Sequence, residues 1–209
     1  MSSKEKKILG ALYLLDLGIA NVRKSKSTKL NLAKVLGVTK KELDYDLNNL
    51  EKDQFLAVKG DIAKLTEKGR NKITIVMAGG AFDIIHPGHI DTLSQAKKLG
   101  DILVVSIARD STFEKNKGRT PMHDERLRRY LVSAIKPVDA AILGSKENIF
   151  KTVEFLKPDI IALGYDQHHS ASAIKKEAKR ANIKLKVVRL SSSNPDIKTS
   201  NILLKGRKW

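Results

Sequence analysis

Two histidines three residues apart, His86 and His89, close the run Gly79-Gly-Ala-Phe-Asp-Ile-Ile-His-Pro-Gly-His89. At that spacing one helical turn carries both imidazoles to the same side, so both can face whatever binds at the helix start. Beyond Pro87 and Gly88 a helical period begins, with Ile90, Leu93, Ala96 and Leu99 on one face and Gly100 where a C-terminal cap belongs. Gly79 and Gly80 let a ligand approach the backbone without meeting a Cβ. A helix that starts beside such a turn offers unpaired N–H groups and the positive end of its dipole, which together make an anion site. A His-x-x-His pair alone is more often a satisfied surface pair or a cap; in this setting it reads as a phosphate grip. Zinc is disfavoured, because no further ligand cluster with metal spacing accompanies the pair and the chain has no cysteine.

The absent motifs narrow the chemistry. No Gly-x-x-x-x-Gly-Lys-Ser/Thr loop, no Gly-x-Gly-x-x-Gly fingerprint and no serine elbow is present. Cationic and polar groups around a helix N-terminus suit phosphoryl chemistry by positioning and charge stabilisation. The inferred reaction is attack by a phosphate oxygen of one substrate on the α-phosphorus of a nucleoside triphosphate, with pyrophosphate leaving in line. A phosphate monoester is already nucleophilic near neutral pH, so no general base is demanded. His86 and His89 would hydrogen-bond the α- and β-phosphates, joined by the N–H groups around Ala81 and Phe82, while Asp83 orients the loop or a histidine.

The elements that must position these groups alternate. Short β-branched apolar runs at 73–77, 102–108, 140–143, 159–163 and 185–190 read as strands, and the segments at 123–134, 146–156 and 170–181 as helices. That order predicts an α/β fold, a parallel five-stranded sheet covered by helices on both faces. Ligands of such sheets lie at the carboxyl ends of the strands. There the sequence puts 79–89, a basic polar loop at 115–119, Gly144-Ser145, 164–167 and the serine-rich 191–199.

Ahead of the sheet, Ile8, Leu12, Leu15 and Ile19 mark an amphipathic helix over 5–19. A helix over 30–36 stops at Gly37, Thr39 caps another carrying Leu43, Leu47 and Leu50, and 55–58 with 62–65 form a hairpin around Gly60-Asp61. This is the order of a winged helix. Its second turn helix carries Lys40 and Lys41 but also Glu42, Asp44, Asp46 and Glu51, and carboxylates facing phosphate oppose DNA binding. The expectation is therefore a packing, dimerising or regulatory module; DNA is the less favoured partner and a homodimer a compatible state. The polar stretch 66–72 marks the boundary, giving a winged-helix-like domain over 1–70 and an α/β domain over 71–209.

With 41% hydrophobic and 30% charged residues in 209, the chain has the composition of a soluble globular protein. No apolar run reaches membrane-spanning length and no secretory leader is evident, which with zero cysteines points to the cytoplasm. The formal charge of +17 divides as about +7 before residue 73 and about +10 after it, so it favours phosphate ligands without saying whose.

Gly80-Ala-Phe-Asp83 followed by His86-Pro-Gly-His89 resembles the signature of the cytidylyltransferase-like nucleotidyltransferases, which include glycerol-3-phosphate cytidylyltransferase and the archaeal FAD synthases. The resemblance covers 73–204 and implies a Rossmann-like sheet. It lies nearest the archaeal FAD synthases through 117–121 (Lys-Gly-Arg-Thr-Pro), 136–139 (Lys-Pro-Val-Asp), 142–145 (Ile-Leu-Gly-Ser) and 156–161 (Leu-Lys-Pro-Asp-Ile-Ile). It implies catalytic roles for His86, His89 and Lys117. It implies nucleotide or phosphate binding by Gly80, Ala81, Phe82, Asp83, Gly88, Lys115, Arg128, Gly164, Asp166, Lys198, Thr199 and Ser200. ATP and FMN are the implied substrates and Mg2+ accompanies the triphosphate, with no metal held by protein ligands. CTP with glycerol phosphate or another phosphoalcohol is the alternative within the class, and a nucleotide-sensing DNA-binding regulator the alternative outside it. Gln167 stands where cytidylyltransferases carry tryptophan, which weighs against cytidine. The absence of cysteine and the added N-terminal module also depart from the pattern.

Overall fold

Each helix of the first seventy residues begins on a hydroxyl side chain that can accept from an exposed N–H. Ser2 caps α1 (Ser3–Asp16) in a reciprocal box with Glu5, Thr28 caps α2 (Lys29–Leu36), and Thr39 with Glu42 makes a second box at α3 (Lys40–Lys52). α1 ends three residues short of Ile19, because Gly18 turns left-handed at φ 68°. Ile8, Leu9, Leu12 and Leu15 of α1 are buried, as are Leu32 of α2 and Leu43, Leu47 and Leu50 of α3. β1 (Leu56–Lys59) pairs antiparallel with β2 (Ile62–Leu65) across Gly60, and a backbone bridge joins Thr28 to Ile62. The polar stretch after β2 is folded as α4 (Glu67–Arg70). A Cβ on its Gly69 would stand 1.8 Å from the Phe55 carbonyl oxygen, so only glycine fits there.

In this computed structural model residues 1–20, 26–165, 167, 170–191, 199 and 202 are described. The chain divides into two compact units, Met1–Thr74 and Ile75–Trp209. Among the described residues no helix is long and apolar enough to cross a membrane.

The second unit alternates throughout: β3 (Ile75–Gly80), α5 (Pro87–Lys97), β4 (Ile102–Ile107), α6 (Asp110–Lys117), α7 (Glu125–Ser133), β5 (Ala140–Leu143), α8 (Ile149–Leu156), β6 (Ile160–Leu163), α9 (Ala171–Arg180) and β7 (Lys186–Arg189). The five strands form one parallel sheet in the order β5-β4-β3-β6-β7, flanked by helices. β3 starts two residues later than its apolar run suggests and keeps both glycines, since Gly79 and Gly80 pair in register with Ser106 and Ile107. The chain turns beyond the strand, where Phe82 takes φ 50°. Two aspartates pin the opposite end of the sheet: Asp159 accepts from the Ile75 N–H at 2.7 Å and Asp139 from the Leu103 N–H at 2.6 Å. Val76, Ala78, Leu93, Leu103, Val105, Val132 and Ala162 form the core beneath. The chain leaves β3 toward β4 and β5, then crosses back to add β6 on the other side, so the carboxyl end of β3 lies at the switch point where such sheets bind ligands.

Candidate active site

The loop leaving that switch point carries the histidines. His86 stands at the N-cap of α5 in extended backbone and makes no side-chain cap; Pro87 follows in the first turn, where it has no N–H to lose. The Gly88 N–H takes no partner among the described residues, so α5 keeps a donor and its dipole for an anion. The His86 and His89 rings stack with centroids 3.8 Å apart and planes inclined by 27°. The expected pairing at the helix mouth is therefore met in the geometry. Behind His89 lies Phe82, its ring 5.0 Å away and buried, on a backbone with φ 50° that few non-glycine residues adopt. Gly80 lies under that ring: a Cβ there would meet Phe82 Cε2 at 2.8 Å.

Beneath the loop are two buried polar anchors. Asp83 is 3% exposed; its carboxylate takes hydrogen bonds from the Arg119 guanidinium and from the Met122 N–H, each at 2.6 Å. Arg128 is fully buried. It donates to the carbonyls of Ala81, Ala108 (2.8 Å) and His123 (2.9 Å) and to Asp110 Oδ1 at 2.7 Å. With its donors turned to these acceptors it braces the loop from below, which corrects its assignment as a phosphate ligand. α7 delivers it: Asp124 caps that helix, and the bond from the Leu127 N–H holds the Asp124 acid below its ordinary pKa.

Lys115 and Lys117, expected on a loop, instead occupy the last turn of α6, which Gly118 ends at φ 66°. Buried Phe113 anchors this helix, and both lysines are exposed. Gly164 ends β6, its N–H bonded to Gln167 Oε1 at 3.2 Å; Gln167 Nε2 in turn donates to the Gly79 carbonyl at 2.6 Å, tying β6 to β3 across the switch point. Arg189 on β7 donates to the carbonyls of Gly164 and Gln167, both at 2.9 Å. Thr199 Oγ1 reaches the Ile84 carbonyl at 3.5 Å. Asp166, Lys198 and Ser200 lie outside the described residues.

An open groove of about 550 Å³ begins at His86 and runs along α5, lined by Ile85, His86, Pro87, Ile90, Asp91 and Ser94. Among the described residues no group of three or more His, Cys, Asp or Glu side chains is placed to hold a metal ion. Of the carboxylates around the loop, Asp83 is engaged with Arg119 and Asp110 with Arg128, while Asp91 in the groove wall accepts from Gln95 Nε2 at 2.9 Å. Sequence reasoning put Arg119 and Gln167 in strand-end loops without these contacts, and it missed Met122 and Arg189. The one available signal was Asp83 itself, a carboxylate within an apolar loop that requires a donor.

Residues 77–204 match the family described as cytidylyltransferase-like. The FAD synthase of Aciduliprofundum boonei is 54% identical over 115 residues, spanning 55% of this chain and 76% of that protein. The FAD synthase of Picrophilus torridus is 48% identical over 126 residues, 60% of this chain and 90% of that protein. A crystal structure described as the lipopolysaccharide core biosynthesis protein of Thermoplasma volcanium superposes with a TM-score of 0.55 at 48% identity, over 57% of this chain and 98% of the other.

Proposed function

The chain belongs to the cytidylyltransferase-like family, and from that premise we propose that it is an FMN adenylyltransferase, joining the AMP of ATP to FMN with release of pyrophosphate. A phosphate oxygen of FMN attacks the α-phosphorus of ATP; the new P–O–P bond forms as the bond from the α-phosphorus to the bridging oxygen breaks, and that oxygen leaves with the β- and γ-phosphates. The observation that carries the reading is the stacked His86–His89 pair beside the open Gly88 N–H at the start of α5. Both rings and the helix dipole sit where negative charge grows in the transition state, and such preorganised donors are worth about two to three orders of magnitude in rate. The nucleotidyltransferase class follows from the family, and the adenylyl donor and flavin acceptor from the kinship to FAD synthases.

Mg2+ offsets the charge of the triphosphate and would arrive with ATP, Asp83 and Asp110 being held in ion pairs with Arg119 and Arg128. Exposed Lys115 and Lys117 are long-stemmed cations suited to the β- and γ-phosphates, and the groove beside His86 offers an apolar wall for the ring of a substrate. Lys198, Thr199 and Ser200, with Gly164 and Asp166, complete the proposed nucleotide contacts. The test is pyrophosphate release from ATP and from CTP, each offered FMN, glycerol 3-phosphate and phosphoethanolamine. Turnover with ATP and FMN alone is expected. Turnover only with CTP would overturn the FAD assignment and leave the class standing.

A further inference from the structure

Four carboxylates on α3, Glu42, Asp44, Asp46 and Glu51, argue in the sequence against contact with a polyanion. In the folded unit Asp44 and Asp46 are each matched by a lysine, while Glu42 and Glu51 keep their charge and are turned to neutral donors of the same unit. Glu42 accepts from the Thr39 N–H at 2.9 Å and hydroxyl at 2.7 Å, Asp44 from Lys29 at 2.9 Å, Asp46 pairs with Lys4 at 2.7 Å, and Glu51 accepts from the Val58 N–H at 2.7 Å. All four lie on the flanks of the helix. Directly opposite the buried Leu43, Leu47 and Leu50 stripe, positions i, i+4, i+7 and i+11 hold Lys41, Tyr45, Asn48 and Lys52. All four side chains are exposed, Tyr45 by 72%, and none has a side-chain hydrogen bond or ion pair among the described residues.

This outward face is cationic at both ends and hydrogen-bonding between. Thirteen residues span about 20 Å, a length and diameter that the major groove of B-DNA admits. An asparagine can bond the N6 and N7 edge of adenine, and lysines a helical turn or more away can meet the flanking phosphates. The hairpin tip adjoins the same end of α3: Lys40 Nζ lies 3.4 Å from Asp61 Oδ1, next to the exposed Lys59 that ends β1. A protein partner would call for an apolar centre, and this face has one aromatic ring and no aliphatic side chain. Double-stranded RNA would present a groove too deep and narrow for the helix. We infer that the N-terminal unit binds duplex DNA, laying the Lys41, Tyr45, Asn48 and Lys52 face of α3 in the major groove. This second activity is independent of nucleotidyl transfer.

The experiment uses the full chain and a fluorescent duplex of about 25 base pairs of mixed sequence, titrated by anisotropy between about 50 and 200 mM salt. Binding that weakens with salt is expected. Lys41→Gln/Lys52→Gln should reduce the log–log salt slope by about two and weaken binding about tenfold or more, with pyrophosphate release unchanged. Lys176→Gln/Lys179→Gln removes the same charge from exposed positions of α9 and should change binding less than about twofold. No binding at the lowest salt would overturn the inference. So would equal losses in the two double variants, which would mean that net charge alone is read, or tighter binding to double-stranded RNA of the same sequence.

Discussion

Arg119 holds Asp83 from the outside. The guanidinium is 37% exposed and the carboxylate 2%, and 2.6 Å separates them. The asymmetry decides what each substitution does. Arg119→Gln strands a buried anion with one remaining donor, the Met122 N–H, and should cost about 2 kcal/mol in urea denaturation, below the full buried-pair penalty because solvent screens the outer partner. Asp83→Asn removes the charge. The double variant Arg119→Gln/Asp83→Asn should therefore be more stable than Arg119→Gln alone. A cycle in which the two effects simply add would show that the pair does not hold the loop.

Arg128 tests the difference between bracing and binding. Arg128→Lys keeps the charge, but an ammonium on a flexible stem cannot serve three carbonyls and Asp110 at once, and leaving buried acceptors without donors should cost about 3 kcal/mol. At about 2 to 4 °C per kcal/mol for a chain of this size, the melting temperature should fall by about 6 to 12 °C. Well below that melting point, KM for ATP should stay within about twofold of the parent. A tenfold rise in KM without loss of stability would return Arg128 to the phosphates.

Much of this was legible in the sequence because strand and helix signals are local. The β-branched runs flanked by polar breaks gave five strands, and Pro87-Gly88 ahead of a 3.6-residue period gave α5 with both histidines at its mouth. What local pattern does not carry is return contact. Met122 and Arg119 come back to Asp83 across 39 and 36 residues, and Gln167 to Gly79 across 88, with no periodicity to announce them. Glycine misled once: Gly79 and Gly80 suggest a turn, yet β4 supplies partners for both and they stay in the strand. α6 was missed for the opposite reason, since Phe113 is its one buried residue and the sequence around it is polar enough to pass for a loop.

The contact of Gly80 with Phe82 ties the backbone of β3 to the histidines, and it can be tested without touching either imidazole. A methyl at residue 80 would stand 2.8 Å from Phe82 Cε2 and 3.0 Å from Cζ, so the ring must swing away. The displaced atoms are the far end of a side chain, and the stability cost should stay near 1 kcal/mol. The ring also lies 5.0 Å from His89, which stacks on His86, and its movement frees that pair to shift. A displacement approaching 1 Å at a positioned group can lower turnover about a hundredfold. Gly80→Ala is therefore expected to fold nearly as well as the parent while losing about tenfold to a hundredfold in kcat for pyrophosphate release. Adding Phe82→Leu, which shortens the obstructing side chain, should recover part of the loss. Full activity in Gly80→Ala would mean that Phe82 does not set the position of the histidines.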